Sequence, residues 1–307
     1  MSIVNTRVPI TAKSCEEIIL EIAEKYPFCR TELLTTTAFL RPIRTLVIGT
    51  GERKVIYTAA HHANEWITAL LLLKFGEDLA QAIAEDGEIL GVPGKQIAKE
   101  ATIYMVPMVN PDGVDLVVGA LNEGAGFRNA QVIAAAFPQI PFPDGWKANL
   151  LGVDLNLQYP AGWLQAREIK FTQGFDRPAP RDYVGRAPLS QKETRALAGY
   201  TEFIDPALVL AFHSQGQEIY WKYQDIEIPG ARELGEVFAK QSGYSLEDTP
   251  YASGFAGYKD WFILRFQKPG YTIEVGEGEN PLPLSQFPEI YRDNLGILVT
   301  AALNRDI

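Results

Sequence analysis

His62 and Glu65 stand three residues apart in His61-His62-Ala63-Asn64-Glu65-Trp66-Ile67-Thr68, directly after the strand-like run Val55-Ile56-Tyr57-Thr58-Ala59-Ala60. Residues i and i+3 share one face of a helical turn, so an imidazole nitrogen and a carboxylate can reach one ion from a single corner of the chain. His213 ends the apolar run Leu208-Val209-Leu210-Ala211-Phe212, where it gives way to Ser214-Gln215-Gly216. The sequence has 3 histidines, and His62 and His213 both fall at C-terminal ends of predicted strands, where open α/β sheets gather their ligands. His61 is not a further ligand from that corner, because neighbouring side chains on an extended strand face opposite ways. Two His, one Glu and an open position for water form the ligand set of a hydrolytic zinc site, with one ion per chain. A His/Glu pair at this spacing is by itself a common surface ion pair. The third donor, at the end of a second strand, sets this one apart.

These residues need strands to deliver them and helices to hold them. Ser14 is expected to cap a helix through about Lys25, with Glu17 completing a capping box and Pro27 stopping it. Extended runs follow at 32–39, 42–48 and 54–60, then a Leu- and Ala-rich helix over 65–84 and a strand over 101–108. Asn110-Pro111-Asp112-Gly113 reads as a turn. Further on come a helix over 190–203, a strand over 207–212, a helix over 231–241, a strand over 270–275 and a last helix over 287–303. Apolar strands separated by helices imply a mostly parallel or mixed sheet covered on both faces.

Composition narrows the function classes. The chain has 307 residues, 47% of them hydrophobic, with no internal repeat or linker, so one catalytic domain over 1–307 is expected, with residues 1–50 forming its N-terminal helix and hairpin. A net charge of -10 argues against a nucleic-acid partner. Neither a secretory leader nor a run long enough to span a membrane is read, so a cytoplasmic protein with no membrane partner is expected. Cys15 and Cys29 lack ligand spacing and read as reduced, packed thiols. Oligomeric state is not encoded in any of these features.

With the zinc corner and the strands in place, the chain resembles the M14 metallocarboxypeptidase family. The matches run in order: His62-Ala63-Asn64-Glu65-Trp66-Ile67-Thr68; Pro107-Met108-Val109-Asn110-Pro111-Asp112-Gly113; Gly152-Val153-Asp154-Leu155-Asn156; Ala187-Pro188-Leu189-Ser190 with Glu193-Thr194; His213-Ser214; and Tyr271-Thr272-Ile273-Glu274. Within the family, Trp146-Lys147-Ala148-Asn149, Gln217-Glu218-Ile219-Tyr220-Trp221 and Gly257-Tyr258-Lys259-Asp260-Trp261 look like bacterial γ-D-glutamyl-L-diamino acid endopeptidases. The resemblance implies an α/β/α sandwich around a mixed, mostly parallel sheet of about eight strands. It also implies a zinc peptidase that cuts murein stem peptides between γ-D-glutamate and diaminopimelate or lysine. A metallocarboxypeptidase, an N-acyl amino acid deacylase and a catalytically weak zinc-containing binding protein are the alternatives.

By the same resemblance His62, Glu65 and His213 hold the zinc, Glu274 is the general base, and Asp154 orients the first zinc histidine. Three family arginines are missing, with Asn64, Leu151 and Leu157 in their places. Leu157 removes the guanidinium that grips a terminal carboxylate, leaving Asn156 of that pair. Lys147, Arg128, Arg167, Arg181 and Arg186 are the candidate replacements for a lost oxyanion donor, and Leu151→Arg is expected to raise turnover if position 151 leaves a gap. Lys259 aligns with the floor of the pocket downstream of the cut. A buried ammonium wants an anionic partner, so a substrate side-chain carboxylate is expected there. Tyr251 resembles the tyrosine that closes over the substrate, and it joins Asn64, Asn156 and Lys259 as a substrate-binding candidate.

Overall fold

The computed structural model describes residues 2–304, so Met1 and 305–307 of the expected domain bounds lie outside it. Among the described residues ten strands form: β1 (Arg30–Thr36), β2 (Pro42–Ile48), β3 (Arg53–Ala59), β4 (Glu88–Ile89), β5 (Val92–Pro93), β6 (Ala101–Val106), β7 (Leu208–His213), β8 (Glu218–Tyr220), β9 (Ser245–Glu247) and β10 (Gly270–Glu274). Eight of them make one sheet in the order β1-β2-β6-β3-β7-β10-β8-β9, and β4 pairs with β5 separately. The β1/β2, β2/β6 and β8/β10 pairs are antiparallel, whereas β3/β6, β3/β7, β7/β10 and β8/β9 are parallel. The mixed eight-stranded sheet expected from the resemblance is therefore the one the chain builds.

Every residue of β6 and of β7 is buried, which is what strands covered on both faces require. The helix Ile67–Ala84 is apolar on most of its surface and packs with Phe287–Leu303 on one side of the sheet. Tyr57 in β3 donates its hydroxyl to Leu298 O at 2.7 Å, fastening that layer to the strand. On the other side Lys192–Ile204 and Tyr258–Phe266 meet through the Thr201 and Tyr258 hydroxyls, 2.8 Å apart.

Three local expectations are corrected. The first helix is Ala12–Lys25, capped by Thr11 with Ser14 reciprocating. Ser14 sits inside the first turn, and Glu17 instead faces Lys13 at 3.6 Å. The chain after His62 forms a short 3-10 turn, Ala63–Glu65, before the long helix starts at Ile67. Side chains at i and i+3 eclipse one another in that geometry, which brings the His62 and Glu65 side chains closer than an α-turn would. Residues 110–113 are not a surface turn: Asn110 caps a buried helix, Pro111–Val117, by accepting from Gly113 N–H at 3.1 Å. A Cβ on Gly113 would stand 2.7 Å from the Ala63 Cβ and 2.6 Å from Ala148 O. Only glycine lets that helix close against the turn that carries Glu65.

Candidate metal centre and cleft

Strands β3, β7 and β10 lie side by side and run the same way, so their C-terminal ends form one ledge. His62 follows β3, His213 ends β7, and Glu274 ends β10 directly opposite His213 in the register. The Asn110 amide locks the corner by donating to His61 O, Lys147 O and Ala148 O at 3.0–3.2 Å. Loop 147–148 is thereby held beside the His62 turn.

His62 Nδ1 lies 2.9 Å from Glu65 Oε1, and His213 Nδ1 lies 2.8 Å from Glu65 Oε2. One donor atom from each of the three residues falls within 4.8 Å of the others. The expected trio therefore converges. Two imidazole nitrogens and a carboxylate this close together are the donor set that zinc takes. The residues present fit the ion.

Asp154 accepts from His62 Nε2 at 3.0 Å, on the side of the ring away from Glu65. Burial alone would depress the His62 imidazole, but Glu65 and Asp154 push it up to about 9. Burial would likewise raise the Asp154 carboxyl, and His62 with Lys147 holds it well below the usual range instead. At Glu65, burial is again outweighed, here by His62, Lys147 and His213. Lys147 adds its ammonium at 2.9 Å from Glu65 Oε1.

Glu274 is half-buried. Burial and the charge of Glu65 push its carboxyl up to about 8, against the pull of Lys147 and His62. A divalent cation at the trio would add to that pull and draw Glu274 back toward its ionised form. Glu277, which lies near it in sequence, is exposed and lines neither space described next.

Two spaces meet here. A recess of about 220 Å³ holds the trio, Asp154, Asn156, Leu157, Lys170, Asp182 and Lys259. A wider groove of about 740 Å³ is lined by Asn64, Asp144, Ser214, Glu279 and Asn280. Lys147, Arg181, Tyr220 and Glu274 belong to both and form the border.

Asn64 is buried on the groove side, where its Nδ2 donates to Asp144 O at 3.0 Å. Among the described residues its Oδ1 has no hydrogen-bond partner. Asn156 lines the recess, its Oδ1 accepting from Tyr258 N–H at 3.1 Å. Lys259 is 4% exposed, yet its ammonium already meets Asp260 at 2.6 Å and Lys222 O at 2.6 Å. Inside the chain its charge therefore already faces a carboxylate, that of Asp260. Tyr251 is 69% exposed, stacks edge-on against Phe255 and lines neither space, so it stands outside the cleft. Leu151 also lines neither. Of the five candidate cations, Lys147 and Arg181 reach the cleft, while Arg128, Arg167 and Arg186 do not. The sequence reading missed Lys170 and Asp182, which sit in the recess without belonging to any motif.

A family profile described as zinc carboxypeptidase, peptidase M14, matches residues 15–296. Gamma-D-glutamyl-L-diamino acid endopeptidase 1 of Lysinibacillus sphaericus is 40% identical over 281 residues, covering 92% of this chain and 69% of that protein. The protein YqgT of Bacillus subtilis is 36% identical over 286 residues, covering 92% of this chain and 74% of its own length. Among solved structures, thrombin activatable fibrinolysis inhibitor superposes with a TM-score of 0.73 at 18% identity, over 96% of this chain and 73% of that one.

Proposed function

Because the chain belongs to the zinc carboxypeptidase family, peptidase M14, we propose that this hydrolase cuts the bond between γ-D-glutamate and a diamino acid, diaminopimelate or lysine, in murein stem peptides. The bond type follows the 40% identical relative, a gamma-D-glutamyl-L-diamino acid endopeptidase. The observation that carries the reading is Glu274 on the border between recess and groove, beside a trio of metal-type donors.

In this reading His62, Glu65 and His213 would hold one zinc ion, whose Lewis acidity would lower the pKa of water to about 7. The peptide spans the border with its scissile amide at Glu274. Glu274 takes a proton from the attacking water and hands it to the departing amine. Lys147 faces the carbonyl oxygen as charge builds on it. Asn64 lines the groove that takes the acyl part, and Asn156 and Lys259 shape the polar wall of the recess. Tyr251 takes part only if its loop moves inward.

No helix among the described residues is long and apolar enough to cross a membrane. The reading includes a cytoplasmic setting, which suits two buried, unpaired thiols, both raised by burial to about 12 and so unreactive.

Mass spectrometry of a defined mixture of murein tri- and tetrapeptides treated with the zinc-loaded protein tests the reading. Release of L-Ala-D-Glu, with the diamino acid on the other fragment, is the expected result, and cuts confined to other bonds would refute it. Asp154→Asn is expected to weaken zinc binding by about 10–100-fold, read by chelator competition. Unaltered retention of zinc would show that His62 needs no carboxylate behind it.

A further inference from the structure

The helix Lys192–Ile204 buries one face, with Glu193, Thr194, Leu197, Ala198, Thr201 and Ile204 turned inward. Its positions Lys192, Arg195, Gly199, Glu202 and Phe203 are all exposed. Steps of three, four, three and one keep these five on a single outer face. None of them lines the recess or the groove, so this face stands apart from the metal-type donors.

Three features of the face do not suit plain solvation. Phe203 is 81% exposed, more than any other large hydrophobic side chain among the described residues. A single exposed apolar residue is ordinary, but this one lies a turn beyond Gly199. Glycine inside a helix lowers its stability and is useful where another backbone approaches closely. A Cβ at Gly199 would meet no atom within 4 Å, so no neighbour within the chain requires the missing side chain. The third feature is the order of charge. Lys192 and Arg195 stand toward the start of the helix, with Glu202 and Asp205 at its end, the reverse of what the helix dipole favours. Glu202 is held loosely, 3.6 Å from Arg265 Nε. Among the described residues no carboxylate pairs with Arg195.

An antiparallel copy of the same helix, related by a two-fold axis at Gly199, accounts for all three. In an isologous contact, a residue before the axis meets one the same distance beyond it in the other copy. Arg195 then comes beside Glu202 of the second copy and Glu202 beside its Arg195, so two ion pairs form at once. Arg195 and Glu202 share one flank of the helix, where both line a groove of about 590 Å³ together with Trp261 and Leu264. A two-fold axis brings like flanks together, which leaves Phe203 on the opposite flank to cover Ala196 and the Lys192 stem of the second copy. The two glycines meet at the axis and let the backbones close. A charge order that costs stability in one helix becomes attraction between two.

We propose that the exposed face of helix Lys192–Ile204 is a self-association surface, on which a second copy of this chain docks antiparallel about Gly199. Both clefts stay open in the pair. The proposal does not depend on which bond the protein cuts.

Sedimentation equilibrium of the full chain from about 1 to about 200 µM tests it, because a patch of this size belongs with weak contacts. A monomer–dimer equilibrium within that range is the expected result. Phe203→Ser is expected to weaken association by about 10–100-fold. Gly199→Lys is expected to abolish it while raising the thermal midpoint of the dilute monomer, since the new side chain has room and lysine is the better helix former. Arg195→Glu sets like charges opposite each other twice and should weaken the pair by about tenfold or more. Adding Glu202→Arg to that variant restores opposite charges, and association is expected to return to within about threefold of wild type. That rescue separates pairing at this surface from damage to the fold. A wild-type protein that stays monomeric at about 200 µM overturns the proposal. So does a dimer that Phe203→Ser and Gly199→Lys leave at wild-type strength, because it forms through another face, or a charge swap that restores nothing.

Discussion

Replacing Glu274 by Gln is expected to lower kcat on a γ-glutamyl peptide by about 10²–10⁴ while zinc content stays at the wild-type level. The substitution keeps the side chain's shape and removes its capacity to take a proton. It leaves the strand in place, because β10 is paired through its backbone with β7 on one side and β8 on the other. It does not remove a metal donor either, since the donors converge from His62, Glu65 and His213. Glu65 raises the Glu274 carboxyl, so neutralising position 274 removes a repulsion that the trio otherwise feels. Metal analysis beside a cleavage assay reads both effects. Turnover within about threefold of wild type would mean that another group serves as base, with Glu279 in the groove the next carboxylate to test. A zinc-loaded protein inert in both forms would be a binding protein, not an enzyme.

What the sequence made legible divides by the length and composition of the elements. β3, β6, β7 and β10 are runs of five to seven residues, largely apolar and rich in β-branched and aromatic side chains, and their positions could be read to within a residue or two. The trio was legible for the same reason, because its members sit at the ends of such runs. β8 and β9 have three residues each, too few for any periodicity to register. Asn110-Pro111-Asp112-Gly113 has the composition of a turn, yet the same residues make an Asn cap and a proline-started helix. Turn chemistry and helix-start chemistry share these residue types, and only the packing against Ala63 and Ala148 separates them. Lys259 shows the limit at the level of charge: its burial was anticipated, but the partner that balances it, Asp260, is its sequence neighbour, and a sequence does not say which way either side chain turns. Lys170 lies in the helix Trp163–Thr172, where a lysine in the last turn looks like ordinary solvated surface. Its meaning arises only once Asp182, twelve residues on, folds back against it.

Replacing Lys147 by Met is expected to cost about 10²–10³ in kcat, about 2.7–4 kcal/mol of transition-state stabilisation, with a smaller change in KM. The border between recess and groove carries two cations, Lys147 and Arg181. Arg181 is turned toward Asp182, its Nε 2.8 Å from that carboxylate. Lys147 is the one that reaches the trio, with its ammonium 2.9 Å from Glu65 Oε1. An ammonium has three N–H donors, so one on Glu65 leaves two for an oxygen that gains charge during attack. Burial would depress this ammonium, but Glu65 raises it, and the group stays charged at neutral pH. A donor aimed at charge that exists only in the transition state lowers kcat when removed, whereas one that grips the ground state raises KM. Methionine preserves the stem's volume, which separates loss of charge from loss of packing, and Lys147→Arg should recover a substantial part of the rate. Zinc content must be followed in parallel because Lys147 touches Glu65. If Lys147→Met retains full zinc and turns over within about threefold of wild type, Lys147 is not the oxyanion donor, and Arg181 becomes the remaining border cation that could be.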